Sequence, residues 1–204
     1  MRLLYAPASP FARIVRIALI ETGLDARVRM QTVDLYTPDS AVIPLNPVAR
    51  VPTLELDDET VLTESGLILA WIDAQHGGRS LLPRDGSDNW RILSEMGTAW
   101  GLLDGIVAWS RALRPPEPQR AQRVIVWESL RVNRVADRLE QAVGQGAYTR
   151  PDLDAAQIVL GAALGWVEPR HPVWRWRDGR PLLSAWADRI HARPSFRATI
   201  PPPL

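Results

Sequence analysis

The stretch YAPASPFARIVRIALIETG, from Tyr5 to Gly23, decides how the fold begins. Ser9 and Pro10 predict a helix start, because serine is a favoured N-cap and proline is tolerated at the first helical position. Gly23 predicts the end of that helix. Between these points apolar residues recur at helical spacing, at Phe11, Ile14, Val15, Ala18 and Leu19. The Ser9 hydroxyl therefore has two candidate roles, as a cap alone or as a contact for something bound at the helix end.

Strand patterns lie on both sides of this helix. Residues 2–6 are short and apolar, and residues 26–33 alternate, so both are predicted as strands. The β-α-β order predicts a parallel pair with a right-handed crossover. Further along, residues 51–56 and 60–64 flank an acidic turn and predict a β-hairpin.

The remainder of the chain reads as helical. Helical spacing returns over residues 64–78, and a segment rich in Gly, Ser, Asp and Pro follows it. We therefore predict an α/β domain of βαβ-ββα order over residues 1–77, a linker over 78–87 and an all-helical domain over 88–204. Four helices are predicted in the helical domain, near 90–107, 119–143, 152–167 and 180–196.

Composition excludes several kinds of chemistry. The 204 residues include no cysteine, and all 24 basic residues are arginine, so disulfides, cysteine nucleophiles and Schiff-base lysines are absent. The three histidines are scattered, and their spacing suggests neither a metal site nor a Ser-His-Asp triad. Net charge is +1 and no apolar run approaches the ~20 residues of a membrane span. We expect a cytoplasmic protein with no metal, nucleic-acid or membrane partner.

Five stretches resemble the cytosolic glutathione transferase family in order and spacing, over nearly the whole chain. The first resembles the catalytic turn and first helix of the Ser-type bacterial enzymes. The second resembles the segment whose proline, here Pro52, is cis in the family, and the third resembles the Glu/Asp-Ser segment that grips the peptide end of glutathione. The last two resemble the linker and a near-terminal segment. The stretches are SPFARIVRIAL (9–19), NPVARVPTLEL (46–56), LTESGLILAWID (62–73), LLPRD (81–85) and ARPSF (192–196).

The sequence departs from the family pattern at a few positions. Ala49 stands where the family usually has glycine, and Arg50 where it usually has lysine. The family's capping motif in the helical domain is Ser/Thr-x-x-Asp, whereas this chain has Asp154 and Gln157. That pair resembles a capping box in which aspartate replaces Ser/Thr.

The resemblance implies a thioredoxin-like first domain, an all-α second domain and a homodimer. It also implies glutathione as co-substrate and no metal, with the glutathione thiolate attacking small hydrophobic electrophiles. Substitution, addition and isomerisation remain open. Two alternatives remain: a non-catalytic, protein-binding module of the same fold, as in stringent-starvation-type regulators, and a carrier of hydrophobic ligands.

Ser9 is the implied catalytic residue. A helix N-terminus carries about half a positive charge and stabilises a thiolate, to which a serine hydroxyl adds a donated hydrogen bond. Because the chain has no cysteine, the sulfur must be the ligand's. Tyr5 is the rival donor, since other classes of the family use a tyrosine near the first strand. Its position in an apolar run favours core packing instead.

The resemblance also implies a set of glutathione contacts. Val51 would pair through its backbone, Ser65 would receive the γ-glutamyl carboxylate and Glu64 the ammonium group. Arg50 would face the glycyl carboxylate or be a solvated surface charge, and Arg13 is a similar candidate. Trp100 and Leu103 are candidates for an electrophile pocket, with the core or a dimer interface as the alternative. The full glutathione set is Ser9, Phe11, Arg50, Val51, Pro52, Glu64 and Ser65.

Overall fold

The structure, a computed structural model, describes residues 1–78, 80–83 and 89–204. These residues divide into two units, one formed by Met1–Leu82 with Pro194–Pro202 and the other by Pro83–Arg193 with Pro203–Leu204. Arg79 and residues 84–87 of the predicted linker lie outside the described residues.

The first unit is built on a four-stranded sheet. Strand order is β2-β1-β3-β4, with β1 parallel to β2 and antiparallel to β3. This arrangement confirms the predicted βαβ-ββα order. The elements are β1 (Arg2–Tyr5), α1 (Pro10–Glu21), β2 (Arg29–Thr32), β3 (Thr53–Glu55), β4 (Val61–Thr63) and α2 (Ser65–Gln75).

The second strand begins later than its alternating pattern predicts. Asp25–Arg27 form a 3₁₀ turn ahead of β2, and the Arg27 N–H donates to the Leu24 carbonyl at 3.0 Å. Leu24 and Val28 are 5 % exposed and bracket this turn. Burial of these two side chains favours the turn over three more residues of strand at the sheet edge.

The core of the first unit lies between α1 and the sheet. Leu3, Leu4 and Leu54 of the sheet are fully buried, as are Ile14 and Ile17 of α1. Each such side chain contributes about 1.5–3 kcal/mol by leaving water. The predicted apolar face of α1 is thus the surface that anchors the helix, and it fixes the position of the Ser9 turn.

The second unit is a bundle of helices. A short 3₁₀ turn, Glu117–Gln119, separates α3 from α4. Most of α5 is buried, and α3 packs against both α4 and α5. No helix within the described residues combines the length and apolar character that crossing a membrane requires. The helices are α3 (Asn89–Leu113), α4 (Gln122–Gly144), α5 (Ala155–Arg170) and α6 (Pro181–His191); a last short helix, α7 (Pro194–Arg197), belongs to the first unit.

The predicted capping box at the start of α5 is confirmed. The Asp154 carboxylate accepts from the Gln157 backbone N–H at 2.9 Å, and the Gln157 side-chain oxygen accepts from the Asp154 N–H at 3.0 Å. Two helix-end N–H groups are therefore satisfied reciprocally. The departure from the family's Ser/Thr-x-x-Asp pattern leaves this capping function intact.

The end of the chain differs from the prediction of one helix over 180–196. The helix stops at His191 and α7 starts separately at Pro194, because proline disfavours helical conformation in the residue before it. Residues 194–202 pack with α1, although the prediction placed them in the helical domain. Arg13, only 2 % exposed, donates to the Phe196 carbonyl at 3.3 Å and to Thr199 Oγ1 at 3.4 Å.

Arg13 is therefore a structural residue that holds the C-terminal segment. Its guanidinium also lies 5.6 Å from the centroid of the Phe196 ring. Burial, with a smaller contribution from Arg16, lowers the pKa of Arg13 to about 10, so it stays charged at neutral pH. Because its charge is engaged inside the first unit, it is not a candidate for the glycyl carboxylate.

Gly105 allows α3 and α4 to approach closely. A Cβ built at Gly105 would lie 2.8 Å from Cγ1 of Val132, which is fully buried. A Cβ at Gly97 of the same helix meets nothing within 4 Å. Both Gly→Ala changes gain helix propensity, but only Gly105→Ala overpacks, so we expect it to be the less stable variant by about 1–3 kcal/mol. Urea denaturation of both variants measures this difference, and equal stabilities would contradict the close approach.

Candidate functional site

The strand register brings the three predicted site segments to one end of the sheet. Leu4 pairs with Thr53, and Thr53 pairs with Thr63, in antiparallel ladders. The end of β1, the start of β3 and the end of β4 are therefore side by side. The turn that carries Ser9, the Val51–Pro52 pair and the Glu64–Ser65 pair continue directly from these strand ends.

Ser9 is the N-cap of α1, as predicted. Its backbone is extended (φ −81°, ψ 119°), and its Oγ accepts from the Ala12 N–H at 3.2 Å. The first turn of α1 contains no acidic residue, so the helix end keeps its positive potential. A serine oxygen that accepts one hydrogen bond can still donate its own hydrogen. Capping and donation to a ligand are therefore compatible at Ser9.

The segment before β3 is held by a buried asparagine. Asn46 is 2 % exposed; its Nδ2 donates to the Arg50 carbonyl and to Thr53 Oγ1, both at 3.1 Å, and its Oδ1 accepts from the Val48 N–H at 3.1 Å. The Thr53 hydroxyl also donates to the Arg50 carbonyl at 2.9 Å. The following Val51–Pro52 bond is cis, as the resemblance implies.

Asn46 and Thr53 were not predicted as site residues. The available signal was the Asn46-Pro47 dipeptide, which is typical of turns. It indicates a turn but not the partners of the asparagine side chain, since those lie four and seven residues away. The structure shows that both side chains hold the Arg50 carbonyl, in the backbone directly before Val51.

Ala49 adopts a left-handed backbone conformation with φ of 54°. This explains why the family usually has glycine at this position, because a Cβ makes that conformation unfavourable by about 1–2 kcal/mol. We expect Ala49→Gly to raise the free energy of unfolding by up to about 1 kcal/mol. Ala185→Gly, at an exposed position inside α6, is the matched control and should lower it by about 1 kcal/mol. Thermal denaturation of the two variants tests this, and a loss of stability in both would contradict it.

Glu64 and Ser65 form the junction between β4 and α2. Glu64 also has a left-handed φ, 65°, and its carbonyl accepts from the Leu67 and Ile68 N–H groups at 3.1 and 3.0 Å. Its exposed side chain makes no capping hydrogen bond, and the first turn of α2 contains no acidic residue. Ser65 is 3 % exposed. Strained backbone of this kind is concentrated at binding sites, and here it aims the start of α2 at the same sheet end.

The remaining predicted residues of the first unit differ in how exposed they are. Arg50 is exposed and its backbone is anchored by Asn46, whereas Phe11 is half-buried on the first turn of α1. The Tyr5 ring is half-buried at the end of β1, and the Arg16 guanidinium lies 4.8 Å from the centroid of this ring.

In the helical unit the two candidates for the electrophile pocket differ. Trp100 is half-buried, but Leu103 is fully buried and offers no surface to a ligand, so the pocket prediction rests on Trp100. Across residues 1–78, 80–83 and 89–204, no group of three or more His, Asp or Glu side chains is placed to hold a metal ion.

Similarity to solved structures identifies the family. A glutathione transferase family member of Pseudomonas fluorescens, crystallised with bound glutathione, is 38 % identical to this chain, with 98 % of each chain covered and a TM-score of 0.89. This chain belongs to the glutathione transferase family. A P. fluorescens family member with bound S-(propanoic acid)-glutathione is 37 % identical over 99 % of this chain and all of its own, with a TM-score of 0.86.

The family assignment is supported by sequence matches. The family model described as "Glutathione S-transferase, N-terminal domain" matches residues 3–80. The "Uncharacterized GST-like protein YibF" of Escherichia coli is 26 % identical over 202 residues, with 99 % of each chain covered. The "Stringent starvation protein A homolog" of Coxiella burnetii is 37 % identical over 83 residues, which are 41 % of this chain and 38 % of that protein. The transferase fold thus extends over the whole chain, while the likeness to the starvation protein is confined to part of it.

Proposed function

We propose that this protein is a Ser-type glutathione transferase, in which bound glutathione attacks small hydrophobic electrophiles through its thiolate. The observation that carries the proposal is the convergence of Ser9, Val51 and Ser65 at one sheet end, beside the N-termini of α1 and α2. Two helix N-termini attract two negative groups, and glutathione offers a thiolate and a γ-glutamyl carboxylate.

Each end of the tripeptide has a proposed contact. The Ser9 hydroxyl donates to the thiolate, and Phe11 lies beside it on the first turn of α1. Val51, two residues before β3, pairs with the cysteinyl backbone of glutathione as an added strand would. Pro52 shapes this approach, and the exposed Arg50 takes the glycyl carboxylate.

The γ-glutamyl end is proposed to bind at the start of α2. Ser65 and the N–H groups of the first turn receive its carboxylate, because the Glu64 side chain does not cap them. The exposed Glu64 carboxylate then accepts from the ammonium group. The half-buried Trp100 of α3 is the proposed contact for the electrophile.

Calorimetric titration with glutathione tests the binding half of this proposal. Hydrogen bonds to charged groups contribute roughly 1.5–3 kcal/mol, so Ser65→Ala and Glu64→Gln should each raise the Kd by about 10- to 100-fold. Ser129→Ala, on α4, is the control and should leave the Kd unchanged. A wild-type protein that shows no binding below millimolar glutathione would rule out the transferase proposal.

Turnover tests the catalytic half. We expect conjugation of glutathione to a general aryl halide electrophile, and a panel of substitution, addition and isomerisation substrates then assigns the reaction type. The likeness to a stringent starvation protein over 83 residues supports one alternative, a non-catalytic protein-binding module. Tight glutathione binding without turnover on the whole panel would favour that alternative.

A homodimer, which rests on the family resemblance, and the cytoplasmic location expected from the sequence complete the proposal. Light scattering coupled to size-exclusion chromatography measures the mass of the particle in solution. Twice the mass of the 204-residue chain is the expected result. A monomer at micromolar concentration would contradict this part without affecting the glutathione site.

A further inference from the structure

The outward side of α4 carries an apolar cluster that the packing of its own unit does not use. Val126, Trp127 and Leu130 are 56, 65 and 60 % exposed. The inward side of the same helix is already filled by buried residues, Val132, Ala136, Leu139 and Val143. A large aromatic and two aliphatic side chains grouped on the solvent face mark an interaction surface.

Three arginines extend this cluster into a stripe along the helix. Arg123, Arg134 and Arg138 are exposed and follow the same face, because they lie three to four residues from Trp127, Leu130 or each other. Within the part of the chain that the structure describes, none of the three forms an ion pair. We call Arg123, Val126, Trp127, Leu130, Arg134 and Arg138 the α4 stripe.

The acidic residues of α4 do not neutralise the stripe. Glu128 pairs with Arg131 at 2.5 Å, and Asp137 pairs with Arg180 at 2.7 Å. Glu140 accepts from the N–H groups of Leu182 and Leu183 at the start of α6. Each carboxylate of the helix therefore already has a partner within the unit, although that of Asp137 is 63 % exposed, and among the described residues the three arginines of the stripe remain unpaired around its apolar centre.

We propose that the α4 stripe docks an acidic amphipathic helix of a partner protein. The stripe runs over residues 123–138, about 22 Å of helix, which suits a partner helix of similar length with apolar anchors and flanking Asp or Glu. Trp and Arg are the residue types that most often dominate binding energy at such surfaces.

The charge of the α4 stripe and the length of its apolar centre favour an acidic helix over a second copy of this chain and over a membrane surface. A second copy of the same stripe would bring arginines against arginines, which like-charge repulsion disfavours. A membrane-surface helix has an apolar face along its whole length, whereas the exposed apolar residues of α4 occupy less than two turns, 124–130. An acidic helix complements both the charge and the short apolar centre.

Fluorescence anisotropy with labelled synthetic helices tests the proposal. The probes are acidic amphipathic peptides with Leu or Phe anchors at i and i+4 between Asp and Glu residues, in several registers, and the same peptides with Lys in place of the acids. At least one acidic probe should bind with a Kd of about micromolar, weakened tenfold or more by Trp127→Ser and by Arg134→Glu, while the Lys probes do not bind. Absence of binding by every acidic probe would overturn the proposal.

Two control variants test whether probe binding is specific to the α4 stripe, and two further measurements test for a lipid surface or a second copy of the chain at that stripe. Val173→Ser and Arg189→Glu change an exposed apolar residue and an exposed arginine away from the stripe, and both should bind the probe as the wild type does. Sedimentation of anionic phosphatidylserine vesicles with the protein, lost in Trp127→Ser, would overturn the proposal in favour of a lipid surface. A dimer that becomes monomeric in Trp127→Ser would overturn it in favour of a second copy.

Discussion

Ser9→Ala is expected to lower kcat/KM for glutathione conjugation by about 10- to 100-fold. The hydroxyl at the N-terminus of α1 donates to the thiolate in our proposal, and a hydrogen bond to a charged group contributes roughly 1.5–3 kcal/mol. Each 1.36 kcal/mol corresponds to one pKa unit or to a tenfold change in rate. Without that bond, the bound thiol is less ionised at neutral pH, so the loss should be greatest at low pH.

Controls distinguish a loss of catalysis in Ser9→Ala from the loss of stability that follows from removing the helix cap. Ser9 Oγ also accepts from the Ala12 N–H, so its removal should lower stability by about 1 kcal/mol, and the assays are run well below the unfolding temperature of each variant. Ser9→Thr keeps the hydroxyl and should keep most of the activity. Unchanged turnover in Ser9→Ala with a loss in Tyr5→Phe would show that Tyr5 is the donor.

Acidification from pH 7 to pH 4 is expected to lower the free energy of unfolding by about 3 kcal/mol through His171 alone. This side chain is 3 % exposed and packs edge-on against Trp109, with ring centroids 4.6 Å apart. Among the described residues its Nε2 has no hydrogen-bond partner. Burial lowers the pKa of His171 from 6.5 to about 4.

Stability falls on acidification because the unfolded chain binds a proton at His171 more readily than the folded chain does. Between these two pKa values the unfolded chain is protonated at His171 and the folded chain is not, so stability is complete above pH 6.5 and is lost as the pH falls toward 4. The difference between the pKa values, at 1.36 kcal/mol per unit, corresponds to about 3 kcal/mol.

Asp73 affects stability only at lower pH, as the pH falls below the usual pKa of its carboxyl group. Burial raises its pKa, but hydrogen bonds from Ser80 and two backbone N–H groups outweigh burial and hold it below its usual 3.8.

Urea denaturation at a series of pH values measures the His171 contribution. In His171→Gln, a side chain of similar size that does not titrate, the dependence between pH 6.5 and 4 should largely disappear. Ser129→Ala, a change on α4 that removes no titratable group, is the control and should keep the wild-type pH dependence. The same slope in the wild type and in His171→Gln would mean that this histidine is not buried in its neutral form.

The order of elements was predictable because local patterns specify it. Apolar, alternating and helical patterns identified the four strands and the helices up to α6, and the Ser9-Pro10 and Asp154-Gln157 pairs marked helix starts that the structure confirms. The end of the chain was not predictable in the same way. Its packing depends on Arg13, whose partners lie more than 180 residues further along the chain.

Part of the candidate site was likewise predictable from the sequence, and part of it was not. Its three segments could be identified from motifs, and their meeting follows from the strand register, which pairs Leu4, Thr53 and Thr63. The left-handed backbone of Glu64 and the bridging role of Asn46 could not be predicted, since both residue types occur widely in turns and loops. Leu103 was misjudged because helical spacing places a leucine on a face without saying how deeply that face is buried.

The titration of enzyme-bound glutathione tests the central claim most directly. Ultraviolet difference absorbance follows the thiolate of bound glutathione across the pH range, with S-methylglutathione, which has no ionisable thiol, as the blank. A free thiol has a pKa near 8.5, and we predict that the bound thiol titrates at about 6.5–7.5 in the wild type and returns toward 8.5 in Ser9→Ala. A bound thiol that titrates near 8.5 in both proteins would contradict the role assigned to Ser9 and to the N-terminus of α1.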